Sequence, residues 1–167
     1  MDFAPKFVEI LKVLAGHDVE LIVVGGMAAI IEGAPVSTFD LDVVVLKTAE
    51  NMRRLLPALE EMNARYADPA GRHIVPDADK LATLRIHRLV TSLGALDVME
   101  TIGHGLAYGD LLGDTRVSEV AGVRVRVLGL ATVILSKEQA NRDKDRATLH
   151  VLRRTLQIKQ KRPEEAG

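Results

Sequence analysis

The sequence predicts a single α/β (α+β) domain, with a mixed β-sheet flanked by helices and a helical C-terminal segment. Three observations carry this. Short apolar runs of strand length, Val19–Val24 and Phe39–Leu46, are bounded by glycine or polar residues. Apolar residues recur at helical spacing at Phe7, Val8, Ile10, Leu11 and Leu14, and again at Met52, Leu55, Leu56 and Leu59. No internal repeat, low-complexity tract or linker divides the 167 residues, a length that suits one sizeable core. The domain is expected to span 1–167, with its core at about 19–156 and a frayed tail at 163–167.

Taken in order, Pro5–Ala15 reads as a helix stopped by Gly16, and Val19–Val24 as a buried strand ending in a Gly25-Gly26 turn. Met27–Gly33 suits a short helix that Pro35 ends. Phe39–Leu46 is the next strand, and Glu50–Met62 an amphipathic helix whose continuity Pro57 puts in question. Tyr66–Lys80, rich in Pro, Gly and Asp, reads as a loop. Leu81–Val90 and Leu96–Glu100 read as a hairpin through TSLG, and Val117–Val120 and Val123–Leu128 as a second around Ala121-Gly122. GHGLAYG, Gly103–Gly109, reads as a turn, and Leu130–Gln139 and Arg142–Gln160 as helices.

Composition narrows the function classes. With no cysteine there is neither a disulfide framework nor a thiolate metal site, which fits a reducing cytosol. No apolar run reaches the roughly 18–20 residues that span a membrane, and the N-terminus lacks the pattern of a signal peptide, so a cytoplasmic protein is expected. Charge is uneven: residues 137–167 hold 9 Lys+Arg against 5 Asp+Glu, whereas residues 1–136 hold 13 against 18. The basic C-terminal part is either a solvated helix face or a surface that meets phosphates. The histidines form no metal-spaced pair, and neither a P-loop nor a nucleophile elbow is present.

The chemistry-bearing stretch is STFDLDVVV, Ser37–Val45. Side chains alternate along a strand, so Asp40 and Asp42 share a face with Cα atoms roughly 6.6 Å apart, while Leu41 and Val43 point into the interior. Two anions so placed need solvent or a cation. The Val43–Leu46 run marks a buried strand, which puts the pair at the end of an interior element. Gly25-Gly26 closes the preceding strand, where glycine allows backbone N–H groups to approach a phosphate. The short connection favours an antiparallel return, which sets the glycines and the carboxylates across one cleft. Asp97, in ALDVME, is a third strand carboxylate that converges on them if its strand neighbours Phe39–Leu46. Oxygen ligands of this kind suit Mg²⁺, two such ions serve in-line phosphoryl displacement, and Asp97 could act as a general base.

Gly-Gly, 13 residues, Asp-Leu-Asp in an apolar strand and a later strand Asp together resemble the DNA polymerase beta-like nucleotidyltransferase superfamily. The later chain, with LDVME and then VAGVRVRVLGLATVILSKEQANRDKDRATLHVL, resembles its minimal, abortive-infection toxin-type (AbiEii-like) group. The resemblance implies the nucleotidyltransferase fold, with Asp40, Asp42 and Asp97 as metal-binding and catalytic residues. It implies that Gly25, Gly26, Thr38, Lys137, Arg142, Lys144 and Asp145 handle the nucleotide. Pro35-Val36-Ser37 departs from the family in lacking the Arg often found upstream of that Thr.

The implied function is Mg²⁺-dependent (or Mn²⁺-dependent) transfer of a nucleoside monophosphate from an NTP to a hydroxyl. The acceptor would be an RNA or tRNA end, a protein side chain or a small molecule such as an aminoglycoside. The chain would act as a toxin or phage-defence component with a cognate antitoxin as partner. The competing expectation is a non-catalytic nucleotide- or RNA-binding module, or an antitoxin-like partner, that retains the fold.

Overall fold

A computed structural model of the chain describes residues 5–161; the 163–167 segment expected to fray lies outside them. Helix α1 (Pro5–Gly16) buries Phe7, Ile10, Leu11 and Leu14 on one stripe, as their spacing requires. The chain then enters β1 (Leu21–Val24), whose four residues are all buried. Helix α2 (Gly25–Ile31) follows with no intervening loop, so the two glycines form its first turn rather than a separate turn before it. Strand β2 (Asp40–Val45) returns antiparallel to β1, pairing Val24 with Asp42.

Helix α3 (Ala49–Glu61) runs unbroken through Pro57. Its first turn is capped by the Thr48 hydroxyl, which accepts from the Asn51 amide at 3.1 Å. The buried Asn51 side chain donates to the Glu20 and Leu46 carbonyls and accepts from the Glu20 amide, tying the outer ends of β1 and β2 together. The pair is thereby held in register at the end away from the carboxylates.

The segment from Tyr66 to Lys80 is not wholly loop. It contains the end of β3 (Arg65–Tyr66) and the start of α4 (Ala78–Thr83), which Asp77 caps by accepting from the Lys80 amide at 2.8 Å. The strand expected from Leu81 therefore starts later, as β4 (Ile86–Thr91), because Leu81 is the buried apolar residue of a helical turn. Strand β5 (Gly94–Met99) completes the hairpin. Gly103–Gly109 is not simply a turn: its first three residues join a small ribbon of β6 (Thr101–Ile102) and β7 (Leu106–Ala107), and its end opens α5 (Tyr108–Leu111). The second hairpin is β8 (Thr115–Val120) with β9 (Val123–Leu128), turning at Ala121-Gly122 as expected. Two helices, α6 (Leu130–Ala140) and α7 (Asp143–Lys161), close the described chain.

The main sheet has seven strands in the order β3-β4-β5-β2-β1-β9-β8. It is mixed: β2 runs parallel to β5 and β1 parallel to β9, while the remaining neighbours are antiparallel. Helix α1 packs on the Gly94–Leu96–Val98 side, where Phe7 and Ile10 approach Gly94. Helices α2, α6 and α7 pack together and bring their charged residues to the opposite side, over the β2–β1–β9 part of the sheet. The core is aliphatic, with Ile10, Leu14, Ile22, Leu41, Leu55, Leu96 and Val98 fully buried, each contributing about 1.5–3 kcal/mol relative to exposure. Among the described residues no helix is long and apolar enough to cross a membrane.

Candidate active site

The site is assembled where β1 ends and β2 begins. Alternation puts Leu41 and Val43 in the core and turns Asp40 and Asp42 to the other face, both half-buried. Parallel pairing of β2 with β5 aligns Asp42 with Asp97 in register. One carboxylate oxygen from each of Asp40, Asp42 and Asp97 lies within 4.8 Å of the others. The convergence that the sequence made conditional on strand adjacency is therefore present.

Such packing of like charges is costly, and Asp42 shows it. Its burial, with the repulsion of Asp97 and then Asp40, pushes its pKa up to about 7, against the opposing pull of Lys144 and Lys137. Burial and the charge of Asp40 also raise Asp97, which Arg88, Lys144 and Arg142 partly offset. The Asp42 Oδ1 atom is buried without a hydrogen-bond partner. An orphaned carboxylate oxygen facing two further carboxylates fits a cation, and an all-oxygen donor set is the chemistry of Mg²⁺ or Mn²⁺.

The glycines stand against these carboxylates. A Cβ on Gly25 would fall 2.5 Å from Asp42 Oδ2, and Gly25 also has a φ of +62°, where a side chain is strained. A Cβ on Gly26 would meet the Thr38 side chain at 2.9 Å. Thr38 in turn donates its hydroxyl to the Asp40 carbonyl at 3.0 Å, bracing the approach to β2. Only residues without side chains fit between the carboxylates and the loop that precedes them.

The charged residues of α6 and α7 divide into two kinds. Asp145 is fully buried and receives Arg142 Nε at 2.7 Å, the Arg142 amide at 3.2 Å and Lys137 Nζ at 3.5 Å. Burial raises the Asp145 pKa, but the Arg142 hydrogen bonds and the two cations outweigh it and hold the carboxyl below its ordinary value. Asp145 thus anchors Lys137 and Arg142 rather than presenting itself to a ligand. Lys144 is exposed, and with Lys137 it puts positive charge within electrostatic range of Asp42.

Two residues near the site were not singled out from the sequence. Arg88 on β4 lies directly across from Asp97. Counting back from a two-residue Ser92-Leu93 loop would have found it, since Thr91 then faces Gly94 and Arg88 faces Asp97. Phe39, 88% exposed, stands immediately before Asp40; an aromatic beside an acidic strand has no local signature that separates it from a core residue.

A mixed sheet with two carboxylates on one strand, a third on its parallel neighbour and a Gly-Gly helix start beside them defines the nucleotidyltransferase fold, and this chain has it. Three solved structures of that fold superpose over most of its length. TM1012 of Thermotoga maritima, described as a putative nucleotidyltransferase, shares 18% identity and a TM-score of 0.56, covering 89% of this chain and 93% of its own. The antibiotic-resistance factor ANT(2'')-Ia shares 14% identity at a TM-score of 0.59, over 91% of this chain and 83% of its own. The lincosamide antibiotic adenylyltransferase LnuA, solved with lincomycin bound, shares 11% identity at a TM-score of 0.62, over 90% and 96%. At such identities the likeness establishes the fold alone. Neither a family model nor a curated protein sequence matches the chain.

Proposed function

We propose that this chain is a metal-dependent nucleotidyltransferase that moves a nucleoside monophosphate from an NTP to a hydroxyl acceptor and releases pyrophosphate. The observation that carries the proposal is the Asp40–Asp42–Asp97 cluster, with a partnerless buried oxygen on Asp42. The three carboxylates would hold Mg²⁺ or Mn²⁺, which when bound neutralises their charge and polarises the phosphates of the nucleotide.

The remaining work falls to the chain itself. Gly25 and Gly26, at the start of α2 and close against Asp42 and Thr38, would offer backbone N–H groups to the triphosphate. Lys137 and Arg142, held by Asp145, and the exposed Lys144 supply positive charge for the triphosphate and the departing pyrophosphate. Asp97, its pKa raised, takes the proton of the attacking hydroxyl. The hydroxyl oxygen bonds the α-phosphorus as the bond to the β-phosphate oxygen breaks, and the electron pair leaves on pyrophosphate.

The sequence resemblance supports a narrower form: an AbiEii-like toxin or phage-defence component in the cytoplasm, with an RNA or tRNA end or a protein side chain as acceptor and a cognate antitoxin as partner. The likeness to ANT(2'')-Ia and LnuA supports a small-molecule hydroxyl as a further acceptor class. A purely binding role is disfavoured, because it has no use for three mutually repelling carboxylates kept together.

The test is incubation of the protein with α-labelled NTPs, Mg²⁺ and pools of RNA, protein and small-molecule acceptors. Label transfer that EDTA and Asp42→Asn both abolish is expected. Absence of transfer to every pool, together with absence of Mg²⁺-dependent NTP binding by calorimetry, would sink the proposal.

A further inference from the structure

The face of the sheet that carries Asp97 is covered unevenly. Over β2, β1 and β9 it meets α2, on which α6 packs together with α7, but farther along, at β5 and β4, it is open. Ile86 and Val90 are 52% and 38% exposed on this side and Arg88 between them is exposed, whereas His87, Leu89 and Thr91 are buried on the other. On β5, Ala95, Asp97 and Met99 are half-exposed while Leu96 and Val98 are buried. The register places Arg88 across from Asp97, Ile86 across from Met99 and Arg65 of β3 across from Val90.

Two guanidinium groups therefore share the face of the proposed general base. At about 4.8 Å per strand and 3.3 Å per residue, the Arg88 Cα lies about 5 Å from that of Asp97 and the Arg65 Cα about 12 Å. Neither arginine forms an ion pair among the described residues. Beyond them a cavity of about 390 Å³ is lined by Arg65, Arg72, His73 and Val90. The one carboxylate on its wall, Asp68, is already engaged by Arg72 through Nε at 3.0 Å and Nη2 at 2.9 Å. Beyond Asp97, on β4 and β3, the open face is thus cationic, with an apolar floor of Ile86, Val90 and Met99.

We infer that this face seats the acceptor, and that Arg88 and Arg65 bind a phosphate group that the acceptor carries near its reactive hydroxyl. The inference rests on the nucleotidyl-transfer reading and adds the acceptor's chemical class. Guanidinium matches phosphate in a two-pronged geometry and is the side chain best suited to it. An acceptor whose hydroxyl lies at Asp97 brings its own phosphate over Arg88 and Arg65, and its ring or base over the apolar floor. A polycationic acceptor, such as an amino sugar, would set its charge against Arg65 and Arg88 and is disfavoured by the same argument.

The experiment measures binding to the full chain, without NTP, of a fluorescent short oligonucleotide and of its uncharged methylphosphonate counterpart. The phosphodiester form is expected to bind at least tenfold more tightly, and Arg65→Glu/Arg88→Glu to bring that preference below twofold. Loss of two phosphate contacts should also flatten the slope of log affinity against log salt by about 1.4, at roughly 0.7 per contact on a single strand. Competition by a mononucleotide assigns the phosphate to a small acceptor; competition by oligonucleotides alone assigns it to a chain. Equal binding of the charged and uncharged probes, or a preference that survives in the double variant, overturns the inference. Calorimetry of Mg²⁺-NTP binding is run alongside: its absence in the wild type sinks the nucleotidyl-transfer reading, while its retention in the double variant shows that the arginines act on the acceptor.

Discussion

Replacing Asp42 with Asn is expected to stabilise the metal-free protein while abolishing its response to metal. Burial, with the charges of Asp97 and Asp40, lifts the Asp42 pKa from 3.8 to about 7. In the unfolded chain the carboxyl ionises near its ordinary value, so across that window the folded state holds a proton that the unfolded state has released. Stability therefore falls as pH rises from about 4 to about 7 and is flat above. At about 1.36 kcal/mol per unit, roughly three units give an upper bound of about 4 kcal/mol. Partial solvent access reduces this to about 1–2 kcal/mol. In a chain of this length that corresponds to roughly 2–8 °C in Tm. Urea unfolding of both proteins in EDTA at pH 4.5, 6 and 8 reads it, since titrations away from the carboxylate cluster cancel in the difference. The advantage of Asp42→Asn should widen with pH, and added Mg²⁺ should then raise the stability of the wild type alone. A variant less stable than wild type at pH 8 in EDTA, or a gap independent of pH, would refute the electrostatic account.

Three further outcomes are expected. Gly25→Ala must place a side chain at positive φ and against Asp42 Oδ2, so a loss of about 1–3 kcal/mol in chemical unfolding and weaker Mg²⁺-NTP binding should appear together. Asp97→Asn removes the proposed base, and should lower transfer about 10²–10⁴-fold in single-turnover assays while calorimetry still shows nucleotide bound. Asp145→Asn should cost about 1–3 kcal/mol at pH 7 and raise KM for the NTP through the loosened Lys137 and Arg142. Because the folded Asp145 pKa is depressed, its contribution is full above the unfolded value and is lost as pH falls from there through the lower folded one. The gap between wild type and variant should therefore close as pH falls below about 4.

How far the site could be read in advance varies from residue to residue. The same-face pair Asp40 and Asp42 followed from strand alternation, and the apolar runs on either side marked β1 and β2 to within two residues. The antiparallel return was legible in the short connection between them. Elsewhere the signals were weaker than their rivals. Leu81 was assigned to a strand on its apolar character, although Asp77, three residues before Lys80, carried the mark of a helix cap. Pro57 put in question a helix that packing of Leu55, Ala58 and Leu59 holds together. The tail motif Arg142, Lys144 and Asp145 was expected to handle the nucleotide; the structure buries Asp145 against Arg142 and, from α6, Lys137, and leaves Lys144 exposed.

From the sequence alone came the α/β class, the carboxylate pair, the glycines beside it and the basic C-terminal helices. These depend on periodicity and turn chemistry, which act over a few residues. Only the tertiary structure decided that Asp97, 55 positions after Asp42, lies in register with it, and that Arg88 and Arg65 extend the same face. Pairing between distant strands is made by backbone hydrogen bonds common to all residues, so nothing in the local sequence names the partner. The choice is made by the burial of apolar side chains across the sheet, with α1 on the β5 and β9 side, which leaves Asp97 and Arg88 together on the opposite face.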